Sequence, residues 1–74
     1  MDRIINILED VKPGVDFSNT NRLIDDGILD SFDIVILVGE LNDAFSVHIG
    51  VEDLVPENFN SVEDIHALIT RLKE

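Results

Sequence analysis

The sequence predicts an all-α fold: a small bundle of three main helices, with a short further helix third in chain order. Three observations carry this. Apolar residues recur at helical spacing near the start, in the middle and at the end of the chain. The segments between them are rich in Gly, Pro, Asn and Asp, which break helices and favour turns. With 74 residues, the chain buries only about 60% of the surface its unfolded form exposes. One domain over residues 1–74 is therefore expected, with one small core and little room for an enclosed active-site cavity.

The first helix runs from Asp2 to Val11, with Ile4, Ile5, Leu8 and Val11 at helical spacing, and Pro13-Gly14 ends it. From Gly14 to Leu23 the chain is polar and loop-like, with Val15, Phe17 and Leu23 as anchors onto the core, and Asp25-Asp26-Gly27 forms a turn. The second helix begins near Ser31. Its Ile34-Val35-Ile36 segment is β-branched, but the apolar spacing continues to Phe45, too long for a typical strand. Ser46 to Gly50 is a short extended link with Val47 and Ile49 pointing inward. Val51 to Phe59 supplies a brief third helix or two turns, interrupted at Pro56. Asn60 or Ser61 caps the last helix, where Ser61-Val62-Glu63-Asp64 is close to a capping box, and Val62, Ile65, Leu68, Ile69 and Leu72 form its inner stripe.

Composition removes several functions. Without Cys there is no disulfide framework, thiolate metal site or thiol nucleophile, and His48 and His66 are too sparse for a metal cluster. No apolar run approaches the roughly 20 residues that span a bilayer, and Met1-Asp2-Arg3 lacks the features of a signal peptide. A cytoplasmic monomer without a membrane span is expected. The net charge is −11, and from Leu23 through Thr70 there are eleven carboxylates and no Lys or Arg. Such a field repels nucleic acid and anionic lipid and steers basic protein surfaces inward.

The second helix carries two apolar stripes. Ile34, Leu37, Val38, Leu41 and Phe45 form the longer one, expected to face the core, while Phe32, Val35, Ile36 and Gly39 lie on nearly the opposite side. So small a bundle cannot bury both. Unless Phe17 or Ile28 folds over it, the second stripe is an exposed strip bordered by Asp33, Glu40 and Asp43, a docking surface for a partner. Gly39 costs a helix interior about 1 kcal/mol relative to Ala, which either reflects a close approach by another chain or has no functional meaning.

Ser31 has two readings. A serine after an aspartate at a helix start is by itself an N-cap whose oxygen accepts a backbone N–H. A hydroxyl at a helix N-terminus in an acidic surface also suits attachment of a phosphate-linked arm. Asp25-Asp26-Gly27-Ile28-Leu29-Asp30-Ser31-Phe32, the apolar helix after it, and Glu57-Asn58-Phe59-Asn60-Ser61-Val62-Glu63-Asp64-Ile65 together resemble the phosphopantetheine-binding carrier family, the acyl, aminoacyl and peptidyl carrier proteins. The resemblance covers most of the chain from Leu23 onward.

This resemblance implies that Ser31 carries 4′-phosphopantetheine, attached from coenzyme A by a phosphopantetheinyl transferase, and that Asp30 helps that enzyme dock or hold its magnesium. Cargo would ride as a thioester, from an adenylating acyl or aminoacyl ligase to a downstream acyl-accepting enzyme, and the chain itself would catalyse nothing. Leu29 stands where fatty-acid carriers usually have Ala, Phe32 replaces the commoner Leu or Met, and Ile36 replaces an acidic residue. Gly27-Ile28-Leu29-Asp30-Ser31 and Asn58-Phe59-Asn60-Ser61-Val62 resemble stand-alone D-alanyl or aminoacyl carriers more closely, with a fatty-acid or polyketide carrier as the alternative subtype, while Phe32 and Ile36 depart from the family pattern, make the docking strip more apolar and count against recognition by fatty-acid synthase enzymes. The alternative from another class is a non-covalent acidic helical interaction module in which Ser31 only caps. A calcium loop fails, because with Gly27 at its required glycine the first and third ligand positions are Arg22 and Ile24.

Overall fold

Helix α1 spans Asp2–Val11, α2 Ser31–Phe45, α3 Pro56–Phe59 and α4 Val62–Lys73, in a computed structural model that describes residues 2–74. The described residues contain no strand and make up a small helical bundle. Helix α1 packs against both α2 and α4, while α3 packs against α4. Short 3-10 turns at Phe17–Asn19 and Val51–Asp53 lie in the two long connections. None of the described helices is long and apolar enough to cross a membrane.

The core is drawn from all four α-helices and the first connection. Ile4 and Leu8 of α1, Leu37 and Leu41 of α2, Phe59 of α3 and Ile65 and Leu68 of α4 are all but fully buried, together with Phe17, Leu23 and Leu29 from the first connection. Ile34, Val38 and Phe45 are half-buried against this cluster. The longer stripe of α2 thus faces inward, and Val62, Ile65, Leu68 and Ile69 line the inner side of α4.

Several boundaries differ from the sequence expectation in instructive ways. Pro56 does not interrupt a helix. It opens α3 as its first residue, where the missing N–H costs nothing and the fixed φ is already helical. Ser61 caps α4 by accepting the Asp64 N–H at 3.0 Å, but no reciprocal bond makes it a box. The full capping box stands at the start of α2 instead. Asn60 does not cap α4, because its side chain is engaged with the first connection.

The C-terminus of α2 is closed by residues from other helices. At its C-terminus the last turn contains no basic residue. Arg3 of α1 donates to the Ala44 carbonyl at 2.6 Å and stacks 4.7 Å from the Phe45 ring centroid, while Lys73 of α4 donates to the Phe45 carbonyl at 2.9 Å. Cations there satisfy orphan carbonyls and oppose the negative end of the helix dipole. The chain then leaves through Ser46 in the left-handed conformation at φ 54°. Asn42 directs the exit: its carbonyl accepts from Ser46 and Val47, and its side chain accepts the Ile49 N–H at 3.0 Å.

The two apolar sides of α2 differ in what they contribute to stability. Leu41→Ala should lower the unfolding free energy by about 2 to 5 kcal/mol, the usual range for a buried leucine, whereas Ile36→Ala on the outer side should cost less than about 1 kcal/mol. Urea denaturation of the two variants checks this, and equal losses would contradict the assignment of sides.

Candidate functional site

At the start of α2, two aspartates and one lysine organise the backbone around Ser31. Asp30 is the N-cap: its Oδ1 accepts the Asp33 N–H at 3.0 Å, and Asp33 Oδ2 accepts the Asp30 N–H at 3.1 Å. Lys12, at the end of α1, donates to the same Asp33 oxygen at 3.4 Å. Ser31 is therefore the first helical residue and not the cap. Its side chain is exposed, and its hydroxyl makes no hydrogen bond with any described residue, because Asp30 already performs the capping.

The Asp30 carboxyl is held below the ordinary carboxylate range, chiefly because it accepts the Asp33 N–H, with Lys12 contributing by its charge. An ionised carboxylate thus sits directly before a free hydroxyl. Asp33, counted at sequence level among the acids bordering the docking strip, is committed inward: its side chain is only 14% exposed. Lys12 also brings a positive charge into a region whose own sequence contains none.

Ser31 and Asp30 stand at the mouth of an open cleft of about 500 Å³. One wall is Ile34 and Val35 of α2, the second is Ile24 and Leu29 of the first connection, and the third is Leu54, Val55, Pro56 and Phe59. Apart from Asp30 and Ser31 at the rim, every lining residue is apolar. Sequence reasoning alone misses this cleft, and also the exposure of Leu54 and Val55 in its third wall and of Val51 before them. A signal for the exposed residues was present: the four apolar residues Val51, Leu54, Val55 and Phe59 in a nine-residue segment that also holds Glu52, Asp53, Pro56 and Glu57 cannot all reach the core.

The outer stripe of α2 is uncovered. Phe32, Val35 and Ile36 are 81%, 70% and 53% exposed, while Phe17 lies buried in the core and does not fold over them. Glu40 and Asp43 are exposed beside this strip and take part in no ion pair among the described residues. Gly39 is exposed too, and a Cβ built on it would meet nothing within 4 Å; no contact among the described residues requires a glycine there.

The cap has a defined pH response. A carboxylate whose folded pKa lies below its unfolded value stabilises the fold fully at neutral pH and loses that contribution as pH falls through the lowered value. The amide resonances of Asp33 and Ser31 should therefore shift together at a pH below the ordinary aspartate range. Asn also caps but does not titrate there, so Asp30→Asn should abolish that transition; an Asp30 titrating at or above the ordinary value would contradict the capping geometry.

No family model matches the chain, and no curated protein matches it.

Proposed function

We propose that this protein is an acyl or aminoacyl carrier, holding its cargo as a thioester on a 4′-phosphopantetheine arm attached to Ser31. The observation that carries the reading is the free, exposed Ser31 hydroxyl at the first position of α2, flanked by the ionised Asp30 and opening onto an apolar cleft. A serine kept only for capping would hold its oxygen against the helix N–H groups, and here Asp30 does that. The resemblance of residues 23–65 to the carrier family supports the same reading.

Attachment is a phosphoryl transfer. The Ser31 oxygen bonds to the phosphorus that bears pantetheine, the pyrophosphate bond of coenzyme A breaks, and adenosine 3′,5′-bisphosphate leaves. The hydroxyl proton passes to a base of the phosphopantetheinyl transferase. Asp30 would serve that enzyme as a contact for its surface or its magnesium. The new phosphodiester would sit at the positive end of the α2 dipole. The arm supplies the thiol that this chain, without cysteine, does not have. Tethering keeps cargo at high effective concentration beside a docked enzyme.

The partners are the transferase, an adenylating ligase and an acyl-accepting enzyme. The sequence features around Leu29 and Asn58-Phe59-Asn60 favour a ligase with amino-acid or other small acyl cargo. The apolar lining of the cleft favours the other subtype, a fatty-acid or polyketide carrier, since a cargo ammonium would find only Asp30 at the mouth.

Incubation with coenzyme A and a broad-specificity transferase should add one phosphopantetheine mass to the wild type and none to Ser31→Ala. Modification of the alanine variant would move the attachment elsewhere. Failure of the wild type to react would leave the non-covalent acidic module as the better reading.

Docking should combine steering by charge with a small apolar contact. Glu40→Lys or Asp43→Lys should slow association with the transferase by about threefold or more at low salt and flatten its salt dependence. Phe32→Ala or Ile36→Ala should instead raise the dissociation rate. Stopped-flow rates across a salt series distinguish the two effects, and rates indifferent to all four substitutions would place the interface on another face.

A further inference from the structure

We propose that Asn60 is a positioning residue for Ser31, fixing the loop that forms one wall of the cleft and delivers Asp30 to the start of α2. The inference rests on the carrier reading for its functional consequence, and on hydrogen-bond geometry for its physical basis. Asn60 lies at the α3–α4 junction, directly after Phe59, which lines the cleft. Its Oδ1 accepts the Ile24 N–H at 3.0 Å and the Asp25 N–H at 3.1 Å. Its Nδ2 donates to Asp25 Oδ2 at 3.2 Å, and its backbone carbonyl accepts the Leu23 N–H at 2.9 Å. With Oδ1 facing two N–H donors and Nδ2 facing a carboxylate, the orientation of the amide is determined by its partners.

These bonds continue to the site. The Leu23 carbonyl accepts the Leu29 N–H at 3.0 Å, and the Ile24 carbonyl accepts the Gly27 N–H at 3.0 Å. Gly27 sits at φ 73°, a left-handed turn that glycine adopts without strain. The loop from Leu23 to Leu29 is thus closed on itself, with Leu23 and Leu29 buried at its neck. Asp30 and Ser31 come immediately after it. Asn60 holds Ile24 on one wall of the cleft at a fixed distance from Phe59 on another, so a single side-chain amide sets both the width of the cleft and the point where the chain enters α2. Residues 23–29 have no helix of their own to do this, and a loop held by few bonds opens locally at low free energy.

Four proteins test this: the wild type, Asn60→Ala, the reversed pair Asn60→Asp with Asp25→Asn, and Leu72→Ala as a destabilised control at the far end of α4. Asn60→Ala removes three side-chain bonds, whereas the reversed pair keeps both acceptor bonds and exchanges donor for acceptor in the third. Two quantities are measured at a temperature where all four are folded: the initial rate of phosphopantetheine attachment from coenzyme A, and amide hydrogen exchange. Asn60→Ala should lose about tenfold or more in attachment kcat/KM, because a displaced reacting group is costly. Its Ile24 and Asp25 amides should exchange at least about tenfold faster, with α4 amides moving far less. The reversed pair should recover most of both effects, and Leu72→Ala should leave attachment close to wild type. Attachment in Asn60→Ala equal to that in Leu72→Ala would overturn the positioning role. A wild type that is never modified would remove the carrier reading, while the exchange data, which need no arm, would still decide whether Asn60 holds the loop. Unchanged exchange at Ile24 and Asp25 in Asn60→Ala would overturn that too.

Discussion

A bundle of this size can cover only one side of its longest helix, and most of the surface that matters derives from that constraint. Helix α2 is 15 residues long, about 22 Å, and apolar on two opposite sides. Leu37 and Leu41 are taken into the core with the residues around them, and the connections that might have covered the other side are needed in the core themselves: Phe17, Leu23 and Leu29 all point inward. Phe32, Val35 and Ile36 are left in solvent. Across the cleft, Leu54 and Val55 are exposed for a related reason, since a segment broken by a 3-10 turn and a four-residue helix has no continuous inner side to bury them. An exposed apolar strip invites self-association, and the carboxylates around it oppose this by keeping copies of the chain apart.

The charge distribution has a matching logic. All five basic side chains are engaged within the chain. Arg3 and Lys73 close the C-terminus of α2, Lys12 reaches Asp33 at its N-terminus, Arg22 pairs with Asp26 at 3.1 Å, and Arg71 donates to Asn58 at 3.0 Å. Exposed pairs of this kind contribute little to stability one by one. Their collective effect is on what remains: the cations face helix ends and turns, and the acids that face outward near the apolar strip, Glu40 and Asp43, are unopposed. A net charge of −11 therefore understates how acidic the strip looks to an approaching protein.

Much of this is legible in the amino-acid sequence, and the misses have physical causes. The inner stripes of α2 and α4 derive from apolar period, and the limits of α1 and α2 from that period together with the turn-forming residues beside it, all properties of the local sequence. The exposed strip comes from the same period plus the size of the chain. The cleft is not legible because its walls come from three separated segments, and no local pattern announces that Ile24, Val35 and Phe59 will face a common space. Charge contacts escape for the same reason. Treating residues 23–70 as free of positive charge is correct along the chain, but Lys12 enters that region through the packing of α1 on α2. At Ser31 the sequence leaves two readings open, because Asp and Ser both cap helices well, and only the backbone decides which of the two adjacent residues is the cap and which is left free.

That freedom follows from Asp30 acting as the cap, and the loop that delivers Asp30 is held by a side-chain amide. Asn60 fixes residues 23–25 of the first connection and Asn42 fixes residues 46–49 at the exit from α2, each using its side-chain oxygen to accept backbone N–H groups that no helix satisfies. Asparagine suits this task because its short amide offers donor and acceptor together without a charge that would have to be neutralised. A site built this way is held by a few directional bonds at the edge of the bundle, while stability resides in leucine and isoleucine packing at its centre. The two can therefore change independently. Substitutions in the cleft walls or the outer strip can alter what the surface binds at small cost to the fold, whereas loss of one asparagine can shift Ser31 in a protein that remains folded.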